Sequence, residues 1–576
     1  MTHGLRRHDR AQWFVLLPFL LFALLVPLGP ETPYSDDFDY AETAWYLADT
    51  GRLILSDWPS MTLAGHAAWG ALFCKLGGNS YLMLRLSMFT LAALTSLALF
   101  HWARRYGHSP AFAAWCAITF ALSPLTVVLQ YTFLTDLTGA ALATFLVLAG
   151  NRIADDWRPL PLLKFGLLAG VAYLSRQTAA IPFLVAFPML LWKVLYWEGT
   201  WRKLLLMALP FIALVGGYQF WLMESHGVPA NQQFSFLQLD QPAWHADRLL
   251  ALVLGLGLHL APMAAVLAVA TGRGRRWRTF ALGLAGIGFV VVCLSTSERW
   301  PILLHDDLFD LGLRAPETSP GGTPQPLRGP VWRLEGRSVS LAHAIALATA
   351  TFSTLVLGMF CLAHRRPASL PSRGALPGLA TLSLLATAGL LLFTPSLFDR
   401  YLFSLVPLAF LALLERIPTR VTSHPVGLGV GWGVTAVVGG LSLFGIQDGM
   451  QRSDTFWKTA RHLHSLGVQP ADVDAGMAYA GFFRYSPTYR GPQRIGPYLK
   501  QLAPAHFQSA TARFSPLSLS ANRPVCIEFE PLKDCRVVAR FPFRSWFRAG
   551  ELVVLVRNGV HDSSLPAPFV QWINSR

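Results

Sequence analysis

The residues of this chain best suited to chemistry are charged groups at the ends of apolar runs. TPYSDDFDYAETAWYLADTGRL (32–53) carries Asp36, Asp37, Asp39 and Glu42. QYTFLTDLTG sets Asp136 at the start of one apolar run, and SRQT sets Arg176 in the turn between two others. FTPSLFDRYLF sets Asp399, Arg400 and Tyr401 between a further two. Taken singly, each has an ordinary explanation. Asp36, Asp37 and Asp136 could cap helices, where carboxylates favour the positive end of the dipole. Arg176 and Arg400 could be anchors that snorkel to headgroups. Taken together, acids and arginines on one face of several noncontiguous helices are what a site for an anionic substrate requires. A carboxylate there can take a proton from an attacking hydroxyl. Arginines can bind a departing phosphate through forked, charge-assisted hydrogen bonds. That chemistry is transfer from a phosphate-linked donor, and the lipid–water boundary suits a donor with a lipid tail. No Gly-rich phosphate loop on a strand–helix turn is visible, so a soluble nucleotide-sugar site is not indicated.

The elements that must hold these residues are membrane helices. The chain has 576 residues, of which 53% are hydrophobic and only 14% charged, with a mean hydropathy of +0.41. A soluble chain is about 25% charged, so this one lacks the polar surface a water-soluble body would need. The same figures exclude disorder, and six Cys exclude a secreted disulfide scaffold. Apolar runs long enough to consider as spans fall near 12–29, 81–100, 110–130, 136–150, 161–174, 178–196, 204–222, 249–271, 279–295, 340–363, 375–393, 401–415 and 425–446. The expected fold is mainly α, a polytopic membrane protein of about 13 transmembrane helices. The first run is too long for a signal peptide and lacks a small-residue cleavage site, so it reads as a retained helix. With the N-terminus inside, the inner loops hold about twice the Lys and Arg of the outer loops in about half as many residues. The net charge of +15 therefore reads as membrane orientation rather than as a nucleic-acid footprint.

An odd number of spans leaves 447–576 outside, as a small α/β extracytoplasmic domain beyond a transmembrane domain of 1–446. WKTARHLHSLGV (457–468) reads as an amphipathic helix, and CIEFE (526–530), VVARF (537–541) and LVVLVR (552–557) as strands. Cys526 and Cys535 lie in this domain and either pair as a disulfide or stay reduced and buried. Cys74, Cys116, Cys293 and Cys361 lie in or beside apolar helices and read as packing residues. The first outer loop spans 30–79 and a long outer loop spans 296–338. The latter holds His305, Asp306, Asp307 and Asp310, ligand types for a divalent cation whose contiguous spacing does not point to one metal. A solvated loop or contacts with an acceptor are the alternatives, and no other cofactor is indicated. GGTPQPLRGP (321–330) in the same loop is turn-rich. AYAGFFRYSPTYRGP (478–492) interleaves aromatics with Arg, as carbohydrate surfaces and domain–membrane interfaces both do.

DDFDYAETAWYLADTGRL resembles the first-loop signature of GT-C fold glycosyltransferases that use polyprenyl-phosphate sugars. Bacterial lipid A aminoarabinose transferases and protein O-mannosyltransferases are its nearest kin, with Asp-Glu, two residues, then Tyr-Ala-Glu. Anchored on Tyr40-Ala41-Glu42, Asp36 matches the family Asp and Asp37 stands for the Glu. LAGHAAWGALFCKLGG (63–78) resembles a Lys-Pro-Pro or His-Pro-Pro segment, with His66 in the Lys position. Asp136 after the third span, Arg176 after a Leu-Ser pair, and DRYLFSLVP (399–407) also match in order. The resemblance covers roughly 10–450, strongly in the first 180 residues and weakly between 225 and 390. It implies Asp36 as the catalytic carboxylate, with Asp37 and Asp136 supporting it. It also implies Arg176, Arg400 and His66 at the donor phosphate, and Tyr40, Tyr401 and Glu42 as substrate contacts. Inverting transfer in a single displacement is the implied chemistry. Three positions depart from the pattern. Asp39 stands where aminoarabinose transferases carry an Arg, His66 replaces a permanent charge, and Ala67-Ala68 replace the paired prolines. These argue against aminoarabinose itself as the sugar.

The partners implied are a polyprenyl-phosphate sugar donor, a lipid, glycan or protein acceptor, and membrane lipids, with no nucleic acid. The implied location is a bacterial inner membrane, with the N-terminus cytoplasmic and the C-terminal domain periplasmic. Two rival readings remain at this point. A transporter or flippase for lipid-linked glycans would show inverted repeats and polar residues near the midplane, and neither is evident. An envelope assembly protein would leave the DDFDYAE loop without a purpose.

Overall fold

A computed structural model describes residues 10–153, 157–197, 201–229, 242–270, 341–364, 378–394, 398–475 and 523–575, with gaps at 35, 57, 529–530, 533, 545 and 547–548. A few isolated residues are described besides. The expected span at 279–295 and the loop 296–338 with its His305 group lie outside these, as does most of 478–492.

The chain is mainly helical. The elements are α1 (Leu17–Leu25), α2 (Asp37–Thr50), α3 (Ala64–Gly77), α4 (Tyr81–Arg105), α5 (Pro110–Ala121), α6 (Pro124–Gln130), α7 (Thr135–Ile153), α8 (Pro159–Ser175), α9 (Ile181–Trp197) and α10 (Trp201–Trp221). Then come α11 (Pro242–His259), α12 (Ala261–Ala270), α13 (Leu341–Ala363), α14 (Leu379–Leu392), α15 (Asp399–Leu402), α16 (Val406–Leu414) and α17 (Pro425–Ser465). Among the described residues, four helices are long and apolar enough to cross a membrane, or six if two bent pairs each count as one span. Thirteen crossings are therefore not established. Several expected spans are helices shorter than the roughly 20 residues a straight crossing needs, such as α14 with 14 residues and α16 with nine. Others are broken. α5 and α6 meet at 61°, where Ser123-Pro124 interrupts the helix, and α11 and α12 meet at 70°.

α17 joins the last expected span to the C-terminal region without a break. It runs unbroken for 41 residues, through the polar stretch 447–456 and into the amphipathic 457–465. At 1.5 Å per residue it is about 60 Å long, about twice the hydrocarbon thickness. Its far end packs against a sheet of β1 (Val473–Asp474), β2 (Val525–Glu528), β3 (Cys535–Arg544) and β4 (Ala549–Arg557), in the order β1-β2-β4-β3. β1 and β2 are parallel and the other pairs antiparallel. Leu552–Val556 of β4 are buried without interruption, because both faces of this central strand are covered. Trp457, Ala460 and Leu463 of α17 and Phe569 of the last helix, α18 (Ala567–Asn574), pack on one side. Cys526 shares the other with Val553 and Leu555. Cys526 pairs with Leu555 and Cys535 with Arg557, so β4 lies between the two cysteines. On the face they share, Cys535 packs beside Cys526. Both are free thiols.

One end of the helix bundle is joined by one buried cation. Arg85, on the first turns of α4, is 1% exposed. Its Nε donates to the Tyr131 carbonyl (2.9 Å), Nη1 to those of Leu28 (2.7 Å) and Pro30 (2.6 Å), and Nη2 to that of Thr32 (2.9 Å). Glu31 accepts from the Tyr81 and Leu82 amides at 2.7 and 3.3 Å, capping the same helix. The segment leading to Asp36 and the turn leading to Asp136 are thereby fixed to α4. Removing Arg85 strands four buried carbonyls, at about 1–3 kcal/mol each. Arg85→Met should lower the melting temperature in detergent by several degrees, and Arg85→Lys should recover only part, lacking the planar fork. Melting of Arg85→Met at the wild-type temperature would show that the clamp is dispensable.

Candidate active site

Asp36 occupies the N-cap position of α2, yet its side chain makes no capping hydrogen bond. Its Oδ2 instead accepts from Arg400 Nη2 at 2.7 Å, with both side chains 11% exposed. Asp136, in the first turn of α7, pairs with Arg176 Nη1 at 3.0 Å, the two side chains 5% and 12% exposed. Arg176 Nη1 also donates to Thr135 Oγ1 (2.8 Å). The capping and snorkelling explanations therefore do not describe these four residues. They form two acid–arginine pairs drawn from α2, α7, α15 and the α8 C-terminus.

Tyr401 joins the pairs. Arg176 lies 5.0 Å and Arg400 5.9 Å from its ring centroid, within reach of the quadrupolar attraction between a cation and a π face. Phe398 takes the guanidinium of Arg400 at 5.0 Å. Tyr40, one turn along α2 from Asp36, is buried. Burial, and next the Asp36 carboxylate, push its hydroxyl well above the ordinary tyrosine range, so the phenol stays protonated as a donor. Gly139 makes room for Arg176: a Cβ there would lie 3.0 Å from Arg176 Cδ.

The other expected residues go elsewhere. Asp37 is fully buried, accepting from the Tyr34 amide (2.8 Å) and the Phe133 amide (3.4 Å), and so anchors backbone beneath the site. Glu42 and Asp37 both act on Tyr81, on the Arg85 side of α2 rather than beside the paired arginines. His66 is also fully buried. Its ring stacks on Phe133 at 4.0 Å, its Nδ1 lies 2.8 Å from Thr138 Oγ1, and its Nε2 lies 3.3 Å from the Phe133 carbonyl. Desolvation lowers its pKa to about 3, outweighing the Phe133 carbonyl, while Arg176 lowers it further. A neutral ring with both nitrogens engaged is a packing group here, without a face for a phosphate.

Asp39, which departs from the family pattern, and three residues that the motif reading passed over complete the arrangement. Asp39 Oδ1 accepts from Ser56 Oγ at 2.5 Å, which holds α2 to the segment that follows it. Arg85 could have been noticed as an arginine five residues into an apolar run. Thr135 and Ser56 leave no comparable trace. Among the described residues no three His, Cys, Asp or Glu side chains gather as metal ligands.

The burial of His66 has a pH consequence. Its folded pKa, near 3, lies below the unfolded value of about 6.5. Between those values the unfolded chain binds the extra proton, so stability is lost as pH falls through that window, by up to about 1.4 kcal/mol per pH unit. The drop in detergent melting temperature from pH 6.5 to 4 should be shallower in His66→Gln than in wild type. Parallel profiles would mean that His66 is not buried in the neutral form.

Residues 65–220 match the family described as dolichyl-phosphate-mannose-protein mannosyltransferase. Among solved structures, ArnT from Cupriavidus metallidurans bound to undecaprenyl phosphate superposes with a TM-score of 0.42 at 13% identity, over 95% of this chain and 98% of that one. The arabinosyltransferase EmbB from Mycobacterium smegmatis superposes with a TM-score of 0.33 at 13% identity, over 77% of this chain and 42% of its own. No curated protein sequence matches the chain. The family match thus covers the segment that carries His66 and the Asp136–Arg176 pair.

Proposed function

We propose that this chain is an integral membrane glycosyltransferase that moves a sugar from a polyprenyl-phosphate donor to an extracytoplasmic lipid, glycan or protein acceptor. The bacterial inner membrane is its proposed location, with the N-terminus cytoplasmic and 447–576 periplasmic. This orientation rests on the distribution of Lys and Arg between alternate loops. One observation carries the reading. Two carboxylates and two arginines meet around Tyr401, at 2.7 and 3.0 Å within each pair.

Asp36 is the proposed base. An acceptor hydroxyl gives its proton to the Asp36 carboxylate as its oxygen attacks the anomeric carbon. The bond from that carbon to the phosphate oxygen breaks, and its electron pair leaves with the phosphate. Configuration inverts in the one displacement. Arg400 and Arg176 hold the phosphate through charge-assisted hydrogen bonds and stabilise the charge that grows on it. In the present arrangement each arginine is engaged by an acid. A donor phosphate competes for the same N–H groups, and in drawing Arg400 away it leaves Asp36 with a free lone pair. Asp136 takes up the second arginine, and Tyr40 and Tyr401 line the sugar. His66 and Asp37 are positioning groups, and no metal step is assigned.

Purified protein in nanodiscs should release the sugar from one member of a panel of radiolabelled polyprenyl-phosphate sugars, even with water as a slow acceptor. Asp36→Asn should reduce turnover about 10²–10⁴-fold, the usual scale of general-base catalysis, without lowering donor affinity. Arg400→Gln should chiefly weaken donor binding. If no donor is consumed, or if Asp36→Asn turns over as fast as wild type, the proposed base is wrong.

A further inference from the structure

A cavity lies at the end of α10, with walls the proposed chemistry does not use. It has a volume of about 330 Å³ and is lined by Arg52, Leu53, Ile54, Trp221 and His226. Arg52–Ile54 belong to the irregular segment that follows α2. Gly51 closes that helix with a φ of 69°, a left-handed conformation that glycine adopts without strain. Trp221 ends α10, and His226 ends the single turn of π-helix, Leu222–His226, that prolongs it.

The donors around this cavity are unequally committed. His226 is fully used: its Nε2 accepts from the Leu55 amide at 2.9 Å and its Nδ1 lies 2.8 Å from the Gly227 carbonyl. Its ring packs on Trp221 at 4.5 Å. The Arg52 guanidinium and the Trp221 indole N–H, by contrast, make no hydrogen bond or ion pair among the described residues. Among the described residues, the side chains around the cavity thus offer two unengaged donors, one of them a full positive charge, and no unengaged acceptor. That balance selects an anion.

The surroundings say where the anion comes from. Trp201–His226 is one of the four helices apolar and long enough to span a membrane, and only 22% of its apolar window is buried. Leu209, Ile212, Phe220 and Met223 stand 52–68% exposed along it. In a bilayer that face meets acyl chains, and it leads directly to the cavity at its end. Trp at the end of a lipid-facing helix sits at headgroup level, and a cation there attracts anionic lipid. We propose that this cavity binds the phosphodiester headgroup of an anionic bilayer phospholipid, with Arg52 and Trp221 as its ligands and the acyl chains along α10.

Occupancy would also act on the candidate site. The segment that forms one wall is bonded to His226 at Leu55 and to Asp39 of α2 at Ser56, and α2 carries Asp36 and Tyr40. A headgroup that orders this segment steadies the helix that presents the proposed base. The proposal does not depend on the transferase reading, because its test reads lipid binding directly.

The full chain is reconstituted in nanodiscs of phosphatidylcholine with or without phosphatidylglycerol, then released into the gas phase for native mass spectrometry. Wild type should retain one phosphatidylglycerol in preference to phosphatidylcholine. Arg52→Gln should weaken that retention about tenfold, the equilibrium factor for 1.4 kcal/mol, and Trp221→Phe should weaken it less. Because Arg52 is exposed, its variant should elute and melt as wild type does. Equal retention of both lipids, or undiminished retention by Arg52→Gln, overturns the proposal. So does displacement of the bound phosphatidylglycerol by undecaprenyl phosphate, which would assign the cavity to a donor instead.

Discussion

The arrangement of this protein's candidate site depends on burying one guanidinium. Arg85 enters a run of apolar residues on α4 and spends its donors on four backbone carbonyls. A buried cation is costly unless each donor is satisfied, so these bonds fix the segment 28–32 and the turn at Tyr131 to one helix. The same two segments lead to Asp36 and Asp136. The carboxylates come from parts of the chain about 100 residues apart, and their spacing is inherited from that single clamp. Asp37 reinforces it from the other side by accepting the amides of Tyr34 and Phe133.

Above the clamp the acids and arginines are paired, and pairing of this kind rarely stabilises a fold. Two partly buried ion pairs pay much of their Coulomb gain in desolvation, and apolar residues of similar size would commonly hold the helices together as well. Their value is that the charges are available at the surface of a cleft while remaining neutral in sum. Tyr401 contributes to both pairs through its π face without competing for their hydrogen bonds. The site is thus preorganised for an anion, with ligands that a stronger acceptor can take over.

How much of this the sequence disclosed differs residue by residue. Asp36, Asp136, Arg176 and Arg400 were legible because a charge at the edge of an apolar run is conspicuous wherever it lies. His66 was legible as a residue but not in its state, since sequence gives the imidazole and only packing gives its burial against Phe133. Arg85 was passed over because its partners are carbonyls, which every residue carries and no motif marks. The strands of the C-terminal sheet followed from alternation and β-branching, and their register then set Cys526 and Cys535 side by side on one face, which spacing alone left open. The continuity of α17 was hidden because polar residues at 447–456 look like a linker. They lie inside one continuous helix, and helices need not end where a bilayer does. The number of crossings was the least secure reading, since an apolar run counts toward a span whether it forms a straight helix, a bent pair or a half-length segment.

That long helix also bears on the site. Trp457, just past the polar stretch 447–456 of α17, donates its indole N–H to the Pro33 carbonyl at 3.1 Å, and a Cβ at position 449 would lie 3.2 Å from Tyr34 Oη. The helix that packs on the sheet is therefore bonded to the segment that delivers Asp36. On the proposed reading this rigidity has a charge argument behind it. A sugar phosphodiester carries one negative charge and the released polyprenyl phosphate two, while Asp36 passes from carboxylate to neutral acid. The total is unchanged, but one unit of negative charge moves from the base to the phosphate. Arginines fixed near both positions lose one interaction as they gain the other, so the site needs little reorganisation as the bond breaks. Electrostatic stabilisation favours the transition state over the ground state only if the dipoles and charges do not relax to follow it. A cleft held by Arg85 and by α17 meets that condition.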